Sequence, residues 1–290
     1  MPELPEIEGY LAALRPRIVG ETLTDVRVAS FSLLRTFDPP VEAVVSETVV
    51  SVHRVGKRIV IDLTGELHLV IHLMVAGRLK WADSPMSIPK RGGLAAFDFS
   101  SGSLLLTEAG TKRRASLSVV RTTDLPGVDP GGIELADATL EQFSDALCTE
   151  RHTLKRSLTD ARHIAGIGGA FADEILHRSH LSPTQMNTNL TDEEIAALFE
   201  ASKGVLAEWT RKRIDETGTG FPTKVTAFHP DMAVHGKFNE PCPVCATPIQ
   251  RIVSGGRETN YCPTCQTGGK VLKDRALSRL LKDDWPKRLG

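Results

Sequence analysis

The sequence lacks the marks of a membrane-spanning or secreted protein. It has no apolar run near the roughly eighteen residues that indicate a membrane helix. Its first residues do not combine a basic stretch with an apolar one, so no secretory signal is predicted. The 290 residues are 41% hydrophobic, enough for two domains with a sizeable core. We therefore expect a cytoplasmic protein without a membrane partner.

The sequence also has little net charge, −1 at pH 7, which argues weakly against a general nucleic-acid coat. Basic residues nevertheless cluster locally, and residues 251–290 carry nine Lys or Arg against four Asp or Glu. Such clusters can meet phosphates while the remaining surface stays acidic, although each one alone is more often a solvated face. Two further clusters are Arg54 with Lys57-Arg58, and Lys112-Arg113-Arg114.

The chain opens with Met1-Pro2-Glu3-Leu4-Pro5-Glu6, ahead of a helical pattern. Pro5 suits a first helical turn, where its missing N–H costs nothing. If Met1 is removed, Pro2 becomes a free secondary amine, which in its uncharged form can attack a sugar aldehyde carbon and form an iminium. Glu3 beside it could then move protons. The alternative is that both prolines only stiffen the start of a helix.

The pattern along the chain predicts an α+β fold. One helix is followed by many short strands rich in Val, Ile and Leu, among them a strand from Val44 to Val55, which predicts an antiparallel sandwich. Helical spacing returns later, with capping boxes at Thr139 and Thr191. The predicted domains are an N-terminal helix with the sandwich (1–121), a Pro- and Gly-rich linker (122–138), a helical domain (139–233), a cysteine hairpin (234–266) and a basic extension (267–290).

A glycine-rich turn, Gly166-Ile167-Gly168-Gly169, precedes a predicted helix in the helical domain. Backbone N–H groups at such a helix start can bind phosphate. A tight turn between two helices explains the same residues equally well.

Lys57 also has two interpretations. Because it follows Gly56, it could reach a backbone phosphate, or it could be an edge-strand lysine that discourages aggregation.

Four of the five cysteines form two Cys-x-x-Cys pairs separated by sixteen residues, the spacing of a four-cysteine zinc site. In a reducing cytosol these thiolates should bind one tetrahedral Zn²⁺, and four protein ligands leave no open position, so the metal is expected to be structural. The ligands are Cys242, Cys245, Cys262 and Cys265. Arg257 lies near the tip of the intervening hairpin and suits phosphate recognition. Cys148 is expected to be inert packing on a helix.

These motifs occur in one order that resembles the formamidopyrimidine-DNA glycosylase/endonuclease VIII family of base-excision repair enzymes. The resemblance spans residues 1 to about 266, and the opening hexapeptide and the zinc hairpin are its most specific parts. It implies an N-terminal β-sandwich with the first helix, then a helix-two-turns-helix domain that ends in a zinc hairpin. It also implies a bifunctional glycosylase and AP lyase that removes damaged, oxidised bases and nicks DNA by β- and δ-elimination.

The resemblance assigns roles to individual residues. Pro2 resembles the Schiff-base nucleophile, and Glu3 the proton donor. Lys57 resembles the lysine that holds a lesion phosphate and donates a proton in elimination, and Arg257 the arginine that grips lesion phosphates during δ-elimination. Further DNA contacts are implied for Glu6 as a pocket carboxylate, for Met74 (or Val75, depending on register) as a void-filling residue, and for Lys155, Gly166, Gly168, Gly169, Lys112, Arg113 and Arg114.

The sequence departs from the family pattern where the base is recognised. Gly169 stands where the family turn usually has Asn, which holds phosphate. The segment Lys112 to Ser116 contains no aromatic residue, whereas members that read oxidised purines have an Arg-Phe pair there. The segment Thr210 to Phe228 lacks the usual Gly-Gly-Thr-Thr lead-in. Substrate preference therefore stays open between oxidised purines, oxidised pyrimidines and bulky adducts.

Two other functions fit the same motifs. One is an AP lyase with little base-removing activity, and the other is a non-catalytic zinc-ribbon protein that binds damaged or unusual DNA. In each case we expect a monomer in a bacterial-type cytoplasm, associated with the nucleoid and bound to damaged duplex or single-stranded DNA.

The extension after Gly268 places Val271, Leu272 and later leucines among Lys and Arg at helical spacing, which predicts a basic amphipathic helix.

Overall fold

The computed structural model describes residues 1–110, 112–226 and 228–274. The chain divides into two compact units. Unit 1 comprises Met1–Pro130 and Trp209–Thr226, and unit 2 comprises Gly131–Glu208 and Ala227–Gly290. The first break falls inside the predicted linker. Among the described residues, no helix is both long and apolar enough to cross a membrane.

Helix α1 (Leu4–Ile18) begins directly after the N-terminal prolines, with Glu3 as its N-cap and Pro5 in its first turn. Its apolar residues recur at helical spacing and form one fully buried face. This face belongs to the hydrophobic core of unit 1 and consists of Ile7, Tyr10, Leu11, Leu14 and Ile18. The start of the chain is thus fixed by the core only a few residues further on.

Two antiparallel four-stranded sheets enclose that core, with strand orders β1-β6-β7-β5 and β2-β3-β4-β8. Buried residues of both sheets join α1 in a single apolar cluster, which defines a sandwich. In β3 and β4 the register pairs Ile59 with Ile71 and Ile61 with Leu69. The strands are β1 (Leu23–Val28), β2 (Val49–Val55), β3 (Arg58–Leu63), β4 (Leu67–His72), β5 (Gly77–Ala82), β6 (Gly93–Phe99), β7 (Gly102–Glu108) and β8 (Ser116–Arg121).

Two features of the sandwich differ from the sequence prediction. The strand expected from Val44 begins at Val49, because Val41–Val44 form a 3₁₀ turn. Strand β5 was not predicted, since only Gly77 and Leu79 of its six residues are buried and the apolar signal is weak. The described 3₁₀ turns are Phe31–Leu33, Val41–Val44, Thr64–Glu66, Leu125–Val128 and Asn187–Asn189.

Helices dominate the middle of the chain, namely α2 (Leu140–Cys148), α3 (Leu154–Thr159), α4 (Gly169–Arg178) and α5 (Asp192–Thr217). Both predicted capping boxes are confirmed. The Thr139 hydroxyl accepts the Gln142 N–H, and the Thr191 hydroxyl accepts the Glu194 N–H, each with the reciprocal bond. The prediction that Cys148 is packed was wrong, because it ends α2 on an exposed position.

The cysteine hairpin of unit 2 consists of β9 (Gln250–Ser254) and β10 (Arg257–Tyr261), followed by the short helix α6 (Pro263–Thr267). Its two-residue turn, Gly255-Gly256, has φ of +57° and +74°, as a tight hairpin requires. The α+β fold class predicted from the sequence is thereby confirmed.

The chain after α6 returns along this hairpin. Val271 is buried, and the Leu272 N–H donates to the Tyr261 hydroxyl at 2.7 Å. The Val253 N–H donates to Asp274 Oδ2 at 2.7 Å. Residues up to Asp274 are not helical. The remainder of the predicted amphipathic helix, residues 275–290, lies outside the described residues.

Candidate functional site

The N-terminal residues singled out by the sequence belong to unit 1 and are buried. Pro2 is buried, and Glu3 is only 2% exposed. The Glu3 backbone N–H donates to Glu6 Oε2 at 2.9 Å, as expected where an acid at the third helical position caps the helix start. The same local signal that begins α1 therefore fixes the backbone next to Pro2.

The terminal amine of the chain, here on Met1, lies among several charged side chains. Burial lowers its pKa, the Glu3 and Glu6 carboxylates raise it, and the Arg78 and Lys57 cations lower it. Burial is the largest of these effects. The lowered pKa increases the uncharged fraction of the amine at this end of the chain, and the uncharged form is the one that acts as a nucleophile.

Lys57 occupies the two-residue turn between β2 and β3, where Gly56 has φ +57°. Burial lowers the pKa of the Lys57 ammonium, and the Glu3 carboxylate opposes that effect. Burial, with Arg58 and Lys57 nearby, also lowers the pKa of His72 to about 4. Unit 1 therefore collects Pro2, Glu3, Glu6 and Lys57 in one charged environment, with a neutral histidine beside it.

Glu6 has a buried partner that the sequence did not indicate. Arg213 Nε and Nη2 lie 3.2 and 3.1 Å from Glu6 Oε1, and both side chains are almost fully buried. Burial, followed by the Glu3 charge, raises the pKa of Glu6 to about 7 even though Arg213 lowers it. Because 207 residues separate the two partners, no periodicity or local motif links them.

The basic segment after β7 is exposed at Lys112, Arg113 and Arg114. Its base is anchored by the buried Glu108 carboxylate, which accepts the backbone N–H groups of Arg114 and Ala115 at 2.9–3.1 Å. The three cations are thus presented by a loop whose end is held in place.

The turn between β4 and β5 carries the predicted void-filling position. Met74 is half-buried with φ +50°, a conformation that suits glycine better than methionine. Val75 is 56% exposed and is the apolar side chain that the turn presents to solvent. The two residues left open by the sequence thus differ in exposure, and the assignment of the void-filling role to Met74 or Val75 stays a prediction.

In unit 2 the glycine turn leads directly into α4. Gly166 has φ +82°, Gly168 is the N-cap, and Gly169 is the first helical residue. A Cβ added at Gly169 would meet no atom within 4 Å, so the site has room for a side chain. A side chain introduced here would therefore lie in open space beside the start of the ten-residue α4.

Lys155 of α3 is engaged within unit 2. Its ammonium lies 2.6 Å from Asp173 Oδ1 and donates to the Glu258 carbonyl at 2.9 Å. The buried Asp173 carboxylate also lies 2.9 Å from His235 Nδ1. Lys155 thus connects α3, α4 and β10, a role that sequence reasoning did not assign to it.

The four predicted zinc ligands converge in unit 2, and their sulfur atoms all lie within 4.8 Å of one another. The Sγ atoms of Cys242 and Cys265 are 3.9 Å apart, and those of Cys245 and Cys262 are 3.4 Å apart. Sulfurs at about 2.3 Å from a tetrahedral zinc are about 3.8 Å apart, so the cluster fits one Zn²⁺. The predicted four-cysteine zinc site is confirmed.

Arg257 begins β10 immediately after the glycine turn, and its side chain is exposed. The hairpin base is fixed by the zinc ligands and by Glu174, whose carboxylate accepts the N–H groups of Ala233, Val234 and His235 at 2.8–2.9 Å. The tip is thus carried on a rigid stem. Lys155 contacts the same hairpin, so unit 2 brings these two predicted cations onto one support.

Comparison with known protein domains identifies the class of protein. Residues 1–114 match the formamidopyrimidine-DNA glycosylase N-terminal domain, and residues 127–219 match the formamidopyrimidine-DNA glycosylase H2TH domain. Residues 239–268 match the zinc finger found in that glycosylase and in isoleucyl-tRNA synthetase. The order of the three matches is that of a DNA glycosylase with a zinc-finger end.

The chain belongs to the formamidopyrimidine-DNA glycosylase family. It is 31% identical to the formamidopyrimidine-DNA glycosylase of Pelotomaculum thermopropionicum, over 92% of this chain and 99% of that protein. It is 32% identical to that of Carboxydothermus hydrogenoformans, over 92% of this chain and all of that protein. The resemblance stated from the sequence is confirmed.

The fold has solved counterparts. The Lactococcus lactis enzyme bound non-covalently to DNA with an AP site superposes with a TM-score of 0.80 at 22% identity, covering 91% of this chain and 99% of that one. A complex of MutM with DNA containing carbocyclic 8-oxo-G gives 0.79 at 23% identity, covering 92% and 100%. These likenesses establish the shared fold.

Proposed function

We propose that this chain is a bifunctional DNA glycosylase and AP lyase of base-excision repair. It releases a damaged base and then cleaves the strand at the abasic site. The observation that carries this proposal is the N-terminal arrangement, in which Pro2 and Glu3 are buried and the Glu3 backbone is held by Glu6. Loss of Met1 would leave the Pro2 amine as the chain terminus, next to the site where burial lowers the pKa of the Met1 amine.

The chemistry begins when the Pro2 nitrogen attacks C1′ of a flipped nucleotide. The bond from C1′ to the base breaks, and the base leaves with the electron pair and takes up a proton. The Pro2 nitrogen gives up its own proton, and the sugar ring opens to an iminium. Glu3 is the proposed carboxyl that protonates the opening sugar oxygen. The iminium acidifies the C2′–H bond, and loss of that proton expels the 3′ phosphate. A second elimination expels the 5′ phosphate.

Two cations complete the proposed site. Lys57 binds a phosphate at the lesion and donates a proton during elimination. Burial lowers the pKa of its ammonium, and a lower pKa makes the ammonium a better proton donor. Arg257 grips the lesion phosphates from the hairpin tip, since its planar guanidinium can donate two parallel hydrogen bonds. The zinc ion supplies no chemistry and supports the hairpin.

The proposed DNA surface combines charged side chains with backbone donors. In unit 1, the basic loop Lys112-Arg113-Arg114 and the turn with Met74 and Val75 face the nucleic acid, with Glu6 in the pocket. In unit 2, N–H groups at Gly168 and Gly169 face a phosphate, after the turn residue Gly166. Lys155 supports the zinc hairpin beside them.

The partner we propose is damaged DNA, duplex or single-stranded. The named relatives and the Lactococcus lactis protein come from bacteria. We propose the same setting here, a monomer that works on the nucleoid in a bacterial cytoplasm.

Borohydride trapping on a duplex with one abasic site tests the proposal. The zinc-loaded protein with Met1 removed should form a covalent adduct with DNA that peptide mapping places on Pro2. Glu3→Gln should slow single-turnover trapping by roughly 10²–10⁴-fold, the usual contribution of a positioned acid–base group. Pro2→Gly lacks the proline secondary amine, so the covalent DNA adduct that forms through this amine should be lost.

Pro5→Ala is the matched control, since it replaces the other proline of the same turn, whose nitrogen lies within the chain. It should trap at close to the wild-type rate. An adduct on a lysine, or none at all from protein with the correct N-terminal mass, would refute the lyase mechanism and favour the DNA-binding alternative. A natural protein that retains Met1 would favour the same alternative.

The second candidate function is an AP lyase with little base removal. The observation in its favour is the basic loop, where the described residues 112–115 include no aromatic side chain that could replace a flipped base. A panel of oxidised purines, oxidised pyrimidines and bulky adducts, measured beside an abasic site, separates the two functions. Cutting at the abasic site alone would establish the lyase.

A further inference from the structure

Glu6 presents an electrostatic problem at the start of α1. Its carboxylate is 3% exposed and lies near a second buried acid, Glu3. A buried carboxylate without a partner would take up a proton or destabilise the fold. The group that opposes both effects is the guanidinium of Arg213, itself 8% exposed, with two nitrogens 3.1–3.2 Å from Glu6 Oε1.

Arg213 is held in a single orientation by further contacts. Its Nη2 donates to the Thr226 carbonyl at 3.0 Å, and its Nη1 donates to Glu216 Oε2 at 3.2 Å. The Trp209 ring centroid is 5.4 Å from the guanidinium carbon. All three nitrogens of the guanidinium are therefore used, and the plane of the group is fixed.

The backbone of α1 approaches Arg213 closely. A Cβ added at Gly9 would lie 3.5 Å from Arg213 Cβ, an ordinary van der Waals contact, so the α1 backbone passes close to Arg213 here. Gly9 follows Glu6 by three residues and shares its side of the helix. The ion pair is thus part of the packing between α1 and the end of α5 within unit 1.

The other oxygen of Glu6 reaches the proposed reaction centre. Glu6 Oε2 accepts the Glu3 backbone N–H at 2.9 Å, and Glu3 follows Pro2 directly. A continuous series of contacts therefore runs from the Thr226 carbonyl through Arg213 and Glu6 to the peptide that carries the nucleophile. Rotation of the Glu6 carboxylate would release that peptide.

We propose that Arg213 is a positioning residue for the N-terminal nucleophile, because it orients the Glu6 carboxylate that holds the backbone of Glu3 next to Pro2. This inference rests on the proposed function of Pro2. Arg213 touches neither the amine nor, in this mechanism, the sugar. Its charge also opposes the rise in the pKa of Glu6 that burial and Glu3 cause, so more of Glu6 stays anionic at neutral pH.

The test compares Arg213→Met, Arg213→Lys, Glu6→Gln and the double variant Arg213→Met/Glu6→Gln. Arg178→Met is the matched control, since Arg178 also forms a two-point pair with a carboxylate, Glu208, but at the surface. Three quantities are measured on full-length, zinc-loaded protein: the single-turnover borohydride trapping rate, the Kd for abasic DNA and the Tm.

Arg213→Met should lower the trapping rate by roughly 10²-fold, the cost of misplacing a reacting group by about 1 Å, with a much smaller change in Kd. The trapping rate of Arg213→Lys should lie between those of the wild type and Arg213→Met. An ammonium keeps the positive charge but cannot donate two parallel hydrogen bonds as a guanidinium does. In the double variant, loss of Arg213 should cost little beyond Glu6→Gln, since residues in one network are not additive. Arg178→Met should behave as wild type.

Equal trapping by wild type and both Arg213 variants would overturn the inference, and so would additive losses in the double variant. If Arg213→Met does not fold, Arg213→Lys decides, and a wild-type trapping rate there is equally adverse. Failure of the wild type itself to trap abasic DNA would instead refute the proposed function, so the two failures are distinguishable.

Discussion

Glu6 should make the stability of unit 1 depend on pH in an unusual direction. Its pKa rises from 4.5 to about 7 on folding, mainly because the carboxylate is buried and secondarily because Glu3 is near. Below pH 4.5 the group is protonated in both states. Between pH 4.5 and 7 the unfolded state gives up the proton that the folded state keeps, so stability falls as pH rises through this window.

The size of the effect follows from the same values. At about 1.4 kcal/mol per pH unit, a rise from 4.5 to about 7 corresponds to roughly 3 kcal/mol lost between pH 4.5 and 8. Glu6→Gln removes this dependence and keeps one oxygen, which can accept either from Arg213 or from the Glu3 N–H. The free energy of unfolding of the variant minus that of the wild type should therefore increase with pH, by about 3 kcal/mol in total.

Urea unfolding from pH 4.5 to 8, followed by tryptophan fluorescence, measures this difference. Trp81 and Trp209 belong to unit 1, as Glu6 does, so two of the three tryptophans of the chain report on the relevant unit. Other titrating groups, such as His72 with its pKa lowered to about 4, act in both proteins and cancel in the difference. Parallel curves for wild type and variant would refute the reasoning.

Glu8→Gln is the matched control for this measurement. Glu8 lies on the same helix and pairs with Arg54, with 2.8 Å between Arg54 Nε and Glu8 Oε1, but its side chain is 22% exposed. The substitution therefore reports what loss of a carboxylate from this helix does when the group is not fully enclosed. A trend in Glu8→Gln equal to that in Glu6→Gln would remove burial as the cause.

Two of three further predictions concern DNA binding, and one concerns the folding of the zinc hairpin. Gly169→Asn, placed where the structure has open space, should tighten binding to abasic DNA roughly tenfold through one amide–phosphate hydrogen bond, whereas Gly169→Ala should not; equal affinities in a titration would refute the contact. A chelator that removes zinc should unfold residues 239–268, because such sites supply about 10 kcal/mol to local folding; unchanged hydrogen exchange in the hairpin would contradict this. Truncation after Asp274 removes five Lys or Arg and two Asp, and should flatten the salt dependence of DNA affinity; an unchanged slope would leave residues 275–290 without a role in DNA binding.

Features that depend on residues close together in the chain were predictable from the sequence. The capping boxes at Thr139 and Thr191 each need two residues three positions apart, and the Gly255-Gly256 turn needs only the positive φ that glycine adopts freely. The zinc site also follows from spacing, since each Cys-x-x-Cys pair places two sulfurs on one side of a turn. In these cases the same few neighbouring residues determine both the local structure and the chemistry of the site.

Features that depend on the tertiary fold were not predictable in this way. Strand β5 has an apolar signal on only one of its faces, and its place in the sheet is decided by its pairing with β7. The partner of Glu6 is 207 residues away, and the partner of Lys155 is Asp173 on another helix. A sequence pattern identifies each of these groups as charged, but burial decides which charges must meet.

Two of the three departures from the family pattern, Gly169 and the basic loop, are separate from the contacts that fix the backbone beside Pro2, whereas the third, Thr210 to Phe228, includes Arg213. Gly169 and the basic loop lie at the ends of elements and in turns, where a substitution alters what is contacted without moving the core. The backbone beside Pro2 is fixed by Glu6, and Glu6 is fixed by Arg213, all within unit 1. Restoring family residues in the loop or at Gly169 should therefore change which lesions are bound and how tightly. It should leave the rate of Schiff-base formation at an abasic site unchanged, because no base has to be recognised there.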